Sequence, residues 1–342
     1  MLFASLRFNC QKGYYYMKLV FLDAKTIGDD LDLSFFDQFG DVVKYSFSTP
    51  EEVSERVQDA DVIIVNKIEI NETTIGTAAN LKLVCVTATG TNNLDKEYLD
   101  KRGIAWRNVA GYSTESVAQH TFAMLFYLLE HLRYYDDYVK EDQYTNDTIF
   151  THFEKNFYEL KGKTWGIIGL GNIGRRVASI AEAFGANVIY SSPSGAAPQE
   201  GFHQVPLDLL LETSDIVSVH APLNEYTENL INLSAFQKMK ESAIFLNLGR
   251  GSIVVEEDLK KALETNEIRA AGLDVLSEEP MRTNNPLRGF ADSNRLLITP
   301  HIAWASIEAR TKLMNIIAGQ IKEFLSLIHI YNTPRLSIRF YM

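Results

Sequence analysis

Short apolar runs alternate with longer segments in which apolar residues return every third or fourth position, and this alternation carries through most of the chain. The runs read as strands buried on both faces, and the longer segments as helices laid against them. Residues 163–169 (KTWGIIG) form one such run. Residues 172–184 follow as a helix that turns Ile173, Val177, Ile180, Ala181 and Phe184 to one face. Further strands are expected at 186–191, 215–219, 243–247, 268–275 and 295–299. Upstream, runs at 18–23, 61–65 and 83–87 make a smaller unit of the same kind. A helix over 116–134 is more apolar than one buried face requires, 141–157 reads as a loop, and a helix over 306–324 closes the pattern.

Strands alternating with helices predict an α/β protein, here of two Rossmann-like domains, each a doubly wound parallel sheet. The substrate domain is discontinuous, 17–112 plus 302–325, and the dinucleotide-binding domain spans 113–301. Hinges near Gly111 and His301 would let the domains close and expel water from a substrate. Both ends depart from the pattern. Residues 1–16 lack the apolar core and small-residue cleavage site of a signal peptide, and an upstream start codon accounts for them. Residues 326–342 read as a misread or frame-shifted ending and are assigned no function.

Chemistry enters where strand meets helix. Within GIIGLGNIGRR (166–176), Gly169, Gly171 and Gly174 have the G-x-G-x-x-G spacing. The first glycine allows a tight turn, the second lets a pyrophosphate approach the backbone, and the third lets helix pack on strand. The helix start adds free N–H groups and a positive dipole. The following strand ends in Tyr190-Ser191-Ser192, with neither the acid that holds the ribose of NAD nor a cation for the extra phosphate of NADP. A serine hydrogen-bonds either group. The missing cation weighs more, so NAD is expected and NADP stays open.

Three more phrases each deliver one polar side chain past a predicted strand: Arg250 in NLGRG (247–251), Glu279 in GLDVLSEEP (272–280) and His301 in TPHIAWAS (299–306). Reduction of a 2-keto acid needs a cation for the carboxylate and developing alkoxide, and a proton donor. Arginine grips a carboxylate with two parallel hydrogen bonds, and a carboxylate beside an imidazole favours its proton-donating form. Taken singly, each is equally compatible with a solvated loop residue. Together, at three strand ends, they point to an enzyme. The remaining histidines, His120 and His220 among them, have no comparable setting, although His220 ends a strand.

On these phrases the chain resembles the D-isomer-specific 2-hydroxyacid dehydrogenases over residues 17–324, and within them the glycerate dehydrogenase (hydroxypyruvate reductase) branch. The resemblance implies His301 as general acid and base, Glu279 as its partner, and Arg250 as the substrate binder. It also implies Asn172 and Ile173 at the pyrophosphate, Ser192 at the adenosine ribose, and His220, Ala221 and Pro222 on the adenine side. Leu248 and Gly249 would lie near the nicotinamide ribose, Asp274 would orient the carboxamide, and Thr114, Arg250 and His301 would also border the cofactor. In the family, the loop holding Thr89, Gly90 and Thr91 offers backbone N–H groups to the substrate carboxylate. Lys67 follows a strand and serves either as a substrate contact or as a solvated turn residue. Trp304 either closes over a small substrate or packs in the core. The branch also accommodates Gln119-His120 where relatives carry an acid.

The expected activity is NAD(P)-linked hydride transfer between a small 2-keto acid and its D-2-hydroxy acid. Hydroxypyruvate and D-glycerate come first, glyoxylate and glycolate next. Alternatives are another small acid (phosphoglycerate, lactate or formate) and an NAD-sensing corepressor. The over-apolar helix and the resemblance together imply a homodimer. Composition narrows the setting. A net charge of −11 argues against nucleic acid and anionic membranes, and Cys10 and Cys85 alone make no disulfide framework, which suits the cytoplasm. No apolar run approaches the ~18 residues of a membrane helix, and no metal is expected.

Overall fold

The computed structural model describes the backbone of residues 7–9 and 14–332 and the side chains of 16–327. The chain divides into two units: one built from the chain before Thr114 and after Ser306, the other from Thr114–Ser306.

In the first unit the three expected runs become β2 (Tyr14–Phe21), β4 (Val62–Val65) and β5 (Leu83–Val86), joined by three strands the pattern did not show, β1 (Arg7–Asn9), β3 (Gly40–Lys44) and β6 (Ala105–Arg107). They lie in the order β1-β2-β4-β5-β6, with β3 also on β2. All pairings are parallel except β1 with β2. Every residue of β4 and β5 is buried, as continuous apolar runs require of strands covered on both faces. Residues 7–9, within the atypical N-terminal stretch, thus form an antiparallel edge, while residues 1–6 and 10–13, Cys10 included, lie outside the described residues. The last helix, Ile307–Asn332, runs past residue 324, and residues 333–342 lie outside the described residues. Arg310 on this helix grips Asp30 through two hydrogen bonds, 2.5 and 2.8 Å, and holds that carboxyl down to about 2.

The second unit holds a seven-stranded sheet: β7 (Thr164–Ile168), β8 (Asn187–Ser191), β9 (His203–Gln204), β10 (Ile216–Val219), β11 (Ile244–Asn247), β12 (Ala270–Leu273) and β13 (Leu296–Ile298). Every pairing is parallel, in the order β13-β12-β11-β10-β7-β8-β9. Strand order reverses between β7 and β10, which opens a crevice at the carboxyl edge. Trp165 of β7 is fully buried and donates its indole N–H to Ser218 Oγ on β10 at 2.9 Å, satisfying both polar groups.

Two sequence expectations are corrected here. The helix expected over 116–134 is two helices, Thr114–Leu129 and Leu132–Lys140, broken at His131 with φ 53°. The reason is tertiary: Arg269 Nη2 bonds both the Leu129 carbonyl (3.0 Å) and His131 Nε2 (2.6 Å), capping the first helix where local propensity would continue it. Its excess apolar residues, Phe122, Met124, Leu125 and Leu128 among them, join Trp165 and Ile167 in the core of the same unit. Apolar excess in this helix is therefore met internally. The second correction concerns the end of the helix Asn172–Ala183: Val177 and Ala181 of the expected face are buried and Ile173 and Ile180 pack against the core, with Gly174 and Ala178 buried beside them, but Phe184 departs. Phe184 lies past its end, about half exposed, with its ring against Phe122 and Phe126 at 5.8 and 5.4 Å. A Cβ on Gly174 would strike the Gly169 carbonyl, so this helix sits too close to its strand for bulk.

Candidate active site

The glycine turn joins β7 to the helix Asn172–Ala183. Gly169 has φ 90°, and a Cβ there would lie 2.8 Å from the Ala221 backbone, so only glycine fits. A Cβ on Gly171 would meet nothing, which leaves that face of the turn open. Gly171 caps the helix without any side-chain bond, so its first N–H groups remain available to an anion. Gly169 N–H donates to Ser191 O at 2.9 Å, which brings the end of β8, with half-buried Ser192, beside the turn. Arg175 ties the turn together. It donates to Asn172 Oδ1 (2.6 Å) and Gln199 Oε1 (2.9 Å), while Gln199 donates to Leu170 O (2.9 Å). Neither Arg175 nor Gln199 was legible as part of this turn, because Gln199 reaches it from a separate loop.

Past β10 stand His220, Ala221 and Pro222, and past β11 Leu248 and Gly249. A Cβ on Gly249 would come within 2.8 Å of Ala221 O, and Leu248 N–H donates to Val219 O at 3.3 Å, so the two strand ends run side by side. His220 shares a hydrogen bond of 3.1 Å with Ser218 through Nε2, its Nδ1 is buried with no partner, and burial pushes the imidazole down to about 3. An open turn, an uncapped helix start and an orphaned ring nitrogen together fit a dinucleotide.

Arg250, Glu279 and His301 also lie on this carboxyl edge. His301 Nδ1 stands 2.7 Å from Glu279 Oε2. The carboxylate can only accept, so Nδ1 carries the hydrogen of this pair. Glu279 Oε1 accepts from Leu276 N–H at 3.0 Å, which fixes the carboxylate from the other side. Arg250 follows β11 in a loop shaped by Asn247, whose side chain accepts from Gly249 N–H (3.0 Å) and donates to Arg250 O (2.9 Å). Arg250 Nη1 donates to Gly249 O at 2.8 Å. A Cβ on Gly251 would collide with the backbone of Leu276 and Ser277, so glycine is what brings the Arg250 loop against the Glu279 loop.

Two supports escaped sequence reading. Buried Glu256 accepts from Ser277 N–H and from Asn285 Nδ2, both at 2.7 Å, and clamps the loop that carries Glu279. His120 stands 3.1 Å from Thr299 Oγ1 and 3.6 Å from Asp274 Oδ1, so it does have a setting beside the His301 turn. Asp274, 2% exposed, is occupied by that turn: it accepts from Thr299 Oγ1, Ile302 N–H and Ala303 N–H. Ser116, two residues after Thr114 on the first helix, donates to Ala303 O at 2.6 Å. Trp304 is half-buried and packs on the core of the second unit.

In the first unit, Lys67 lies past β4 and the loop of Thr89, Gly90 and Thr91 past β5. Asp23, buried at the end of β2, accepts from the N–H groups of Asn66 (3.0 Å) and Lys67 (2.9 Å), and burial raises its carboxyl. Asn93 Nδ2 donates to Ile68 O at 2.9 Å, which joins the two loops. Thr89 Oγ1 is committed to Val109 O at 3.0 Å, so its backbone is what this residue has to offer.

Comparison with known proteins agrees with this geometry. Residues 122–303 match the family described as D-isomer specific 2-hydroxyacid dehydrogenase, NAD binding domain. The chain belongs to that family. It is 37% identical to a hydroxypyruvate reductase of Blautia hydrogenotrophica, over 90% of this chain and 97% of that one. To a glycerate dehydrogenase of Methylorubrum extorquens it is 34% identical, over 90% and 96%. Among solved structures, a D-lactate dehydrogenase from Aquifex aeolicus complexed with NAD and lactic acid superposes with a TM-score of 0.78 at 27% identity, covering 92% of this chain and 98% of that one. The protein is thus an oxidoreductase of CH–OH donors that binds NAD(P), on two Rossmann-like α/β sheets. Among the described residues, no helix is long and apolar enough to cross a membrane.

Proposed function

We propose that this member interconverts a small 2-keto acid and its D-2-hydroxy acid, with hydroxypyruvate and D-glycerate the foremost pair and glyoxylate and glycolate next. The observation that carries the reading is the 2.7 Å pair of His301 and Glu279 on the edge that also bears Arg250 and the glycine turn. The likeness to a hydroxypyruvate reductase and a glycerate dehydrogenase supports the choice of substrate.

When bound, the nicotinamide supplies the hydride that adds to the carbonyl carbon. Arg250 holds the substrate carboxylate and the carbonyl oxygen through paired N–H donors and stabilises negative charge as it develops there. His301 Nε2 gives its proton to that oxygen, and Glu279 stabilises the ring while it carries both protons. In the reverse direction His301 takes the hydroxyl proton. Gly169, Gly171, Asn172, Ile173 and Gly174 hold the pyrophosphate, and Ser192 the adenosine ribose. His220, Ala221 and Pro222 serve the adenine, Leu248 and Gly249 the nicotinamide ribose, and Thr114 and Asp274 the nicotinamide side. Lys67, the backbone of Thr89, Gly90 and Thr91, and Trp304 serve the substrate. NAD is the proposed cofactor, because nothing cationic follows β8 before residue 200.

A homodimer and a cytoplasmic location belong to the same proposal. The dimer is supported by exposed apolar side chains between residues 132 and 158, including Leu132, Val139, Ile149, Phe150 and Phe153, with Phe150 90% exposed. The location is supported by a cysteine content, Cys10 and Cys85 alone, that makes no disulfide framework.

The deciding experiment follows oxidation of NADH and NADPH in parallel by the purified protein with hydroxypyruvate, then glyoxylate and pyruvate. Rapid oxidation with hydroxypyruvate supports the substrate and ranks the cofactors. Silence with all three from folded protein overturns the substrate assignment.

A further inference from the structure

His301 sits at φ 54°, a backbone region that favours glycine, so its surroundings must hold it there. The holding is done from one buried carboxylate. Asp274 O accepts from His301 N–H at 2.8 Å. Its side chain accepts from Ile302 N–H and Ala303 N–H, both at 2.9 Å, and from Thr299 Oγ1 at 2.7 Å. Asp274 thus grips the chain on both sides of the catalytic imidazole.

The direction of the next bond follows from elementary bookkeeping. A carboxylate has no hydrogen to give, so the Thr299 hydroxyl directs its only hydrogen at Asp274. Toward His120 Nε2, 3.1 Å away, that hydroxyl can then only accept, and Nε2 must carry the hydrogen. The order of donation is therefore His120 to Thr299 to Asp274. His120 projects from the helix Thr114–Leu129, which is also fastened to the turn by Ser116 Oγ donating to Ala303 O at 2.6 Å. That helix packs into the core under the sheet, so it is a rigid base for the turn.

We propose that His120 is a positioning residue for His301. Its Nε2–H fixes the Thr299 hydroxyl on Asp274 and thereby locks the grip that holds the catalytic ring in its left-handed turn. The proposal rests on the reading of His301 as the proton donor. Without a donor at position 120, the Thr299 hydroxyl is free to rotate away from Asp274, and the carboxylate loses one of its three side-chain bonds. Misplacement of a reacting group by about an ångström is costly to turnover.

Three variants test this in the full chain: His120→Leu, which has no donor, His120→Gln, whose amide N–H reaches the same place, and Thr299→Val, which lacks the bridging hydroxyl. The readouts are kcat and KM with hydroxypyruvate, NADH affinity by fluorescence titration, and amide hydrogen exchange at Ile302 and Ala303. His120→Leu and Thr299→Val are expected to lower kcat by roughly tenfold or more, while His120→Gln recovers kcat to within about threefold. Exchange at the two amides should quicken in the first pair and stay near wild type in His120→Gln. Unchanged kcat and exchange in folded His120→Leu, or a loss that glutamine does not recover, overturns the proposal. If His120→Leu does not fold, Thr299→Val against His120→Gln decides by the same criteria. If the wild type reduces none of the 2-keto acids, the functional reading fails instead, and amide exchange alone then decides whether His120 locks the turn.

Discussion

His220 and His301 each stand just past the carboxyl end of a strand in the same sheet, and their surroundings set them to different work. His301 has a carboxylate at 2.7 Å and remains partly open to ligands. His220 has only a serine hydroxyl at 3.1 Å, and burial pushes it down to about 3. In the proposed reaction the first ring carries the proton. The other stays neutral throughout the physiological range, and in the same proposal its buried Nδ1 serves the cofactor. The two rings share a sheet edge and differ in their partners: a carboxylate for His301, a serine hydroxyl and burial for His220.

Removing the two rings should separate those tasks. His301→Ala is expected to lower kcat for 2-keto acid reduction by roughly 10³-fold, within the range that a general acid contributes, with NADH affinity nearly unchanged. Steady-state kinetics beside a fluorescence titration reads both. Near-normal turnover would remove His301 from the chemistry.

Glu279→Gln keeps a side chain of the same shape and removes the charge that stabilises the doubly protonated ring. A fall in kcat of about ten- to a hundredfold is expected, smaller than for His301→Ala because the proton donor itself remains. A loss confined to KM would assign Glu279 to substrate binding instead.

How far this site could be read from the chain follows the same division. Glycine spacing and strand-end polar residues are local, so the turn of Gly169, Gly171 and Gly174, and the places of Arg250, Glu279 and His301 past their strands, were legible from phrases alone. The grip on the His301 turn was not, because His120 reaches Thr299 from a helix that lies far back in the chain. Glu256 escaped for the same reason: in sequence it opens a helix, and only in the fold does it meet Ser277 and Asn285. In the fold, the alternation of runs predicted the longer strands of both sheets and missed the short or polar β1, β3, β6 and β9, and it failed at His131 because the break is made by Arg269, a residue from another element. Phe184 was placed on a buried face by periodicity, yet the helix ends at Ala183 and Phe184 is its half-exposed cap.

His220→Ala should act on the cofactor instead. Losing one hydrogen-bonding ring nitrogen is expected to weaken NADH binding by about two- to tenfold while kcat at saturating NADH stays within about threefold. A large loss of kcat with unchanged affinity would reverse the roles drawn for the two histidines.

The smallest effect concerns stability and needs its sign worked out. In the folded chain burial keeps His220 unprotonated down to about 3, against an ordinary value of 6.5. Between those values the unfolded chain binds a proton here that the folded chain does not, so acidification favours unfolding. This contribution is absent above 6.5, grows as the pH falls, and is complete near 3. Its slope cannot exceed about 1.4 kcal/mol per pH unit for one proton. His220→Gln removes it, so melting temperatures of this variant should fall less steeply than those of the wild type between about pH 6 and pH 4. Parallel slopes would mean that His220 accepts a proton in the folded protein, and the contrast with His301 would then rest on Glu279 alone.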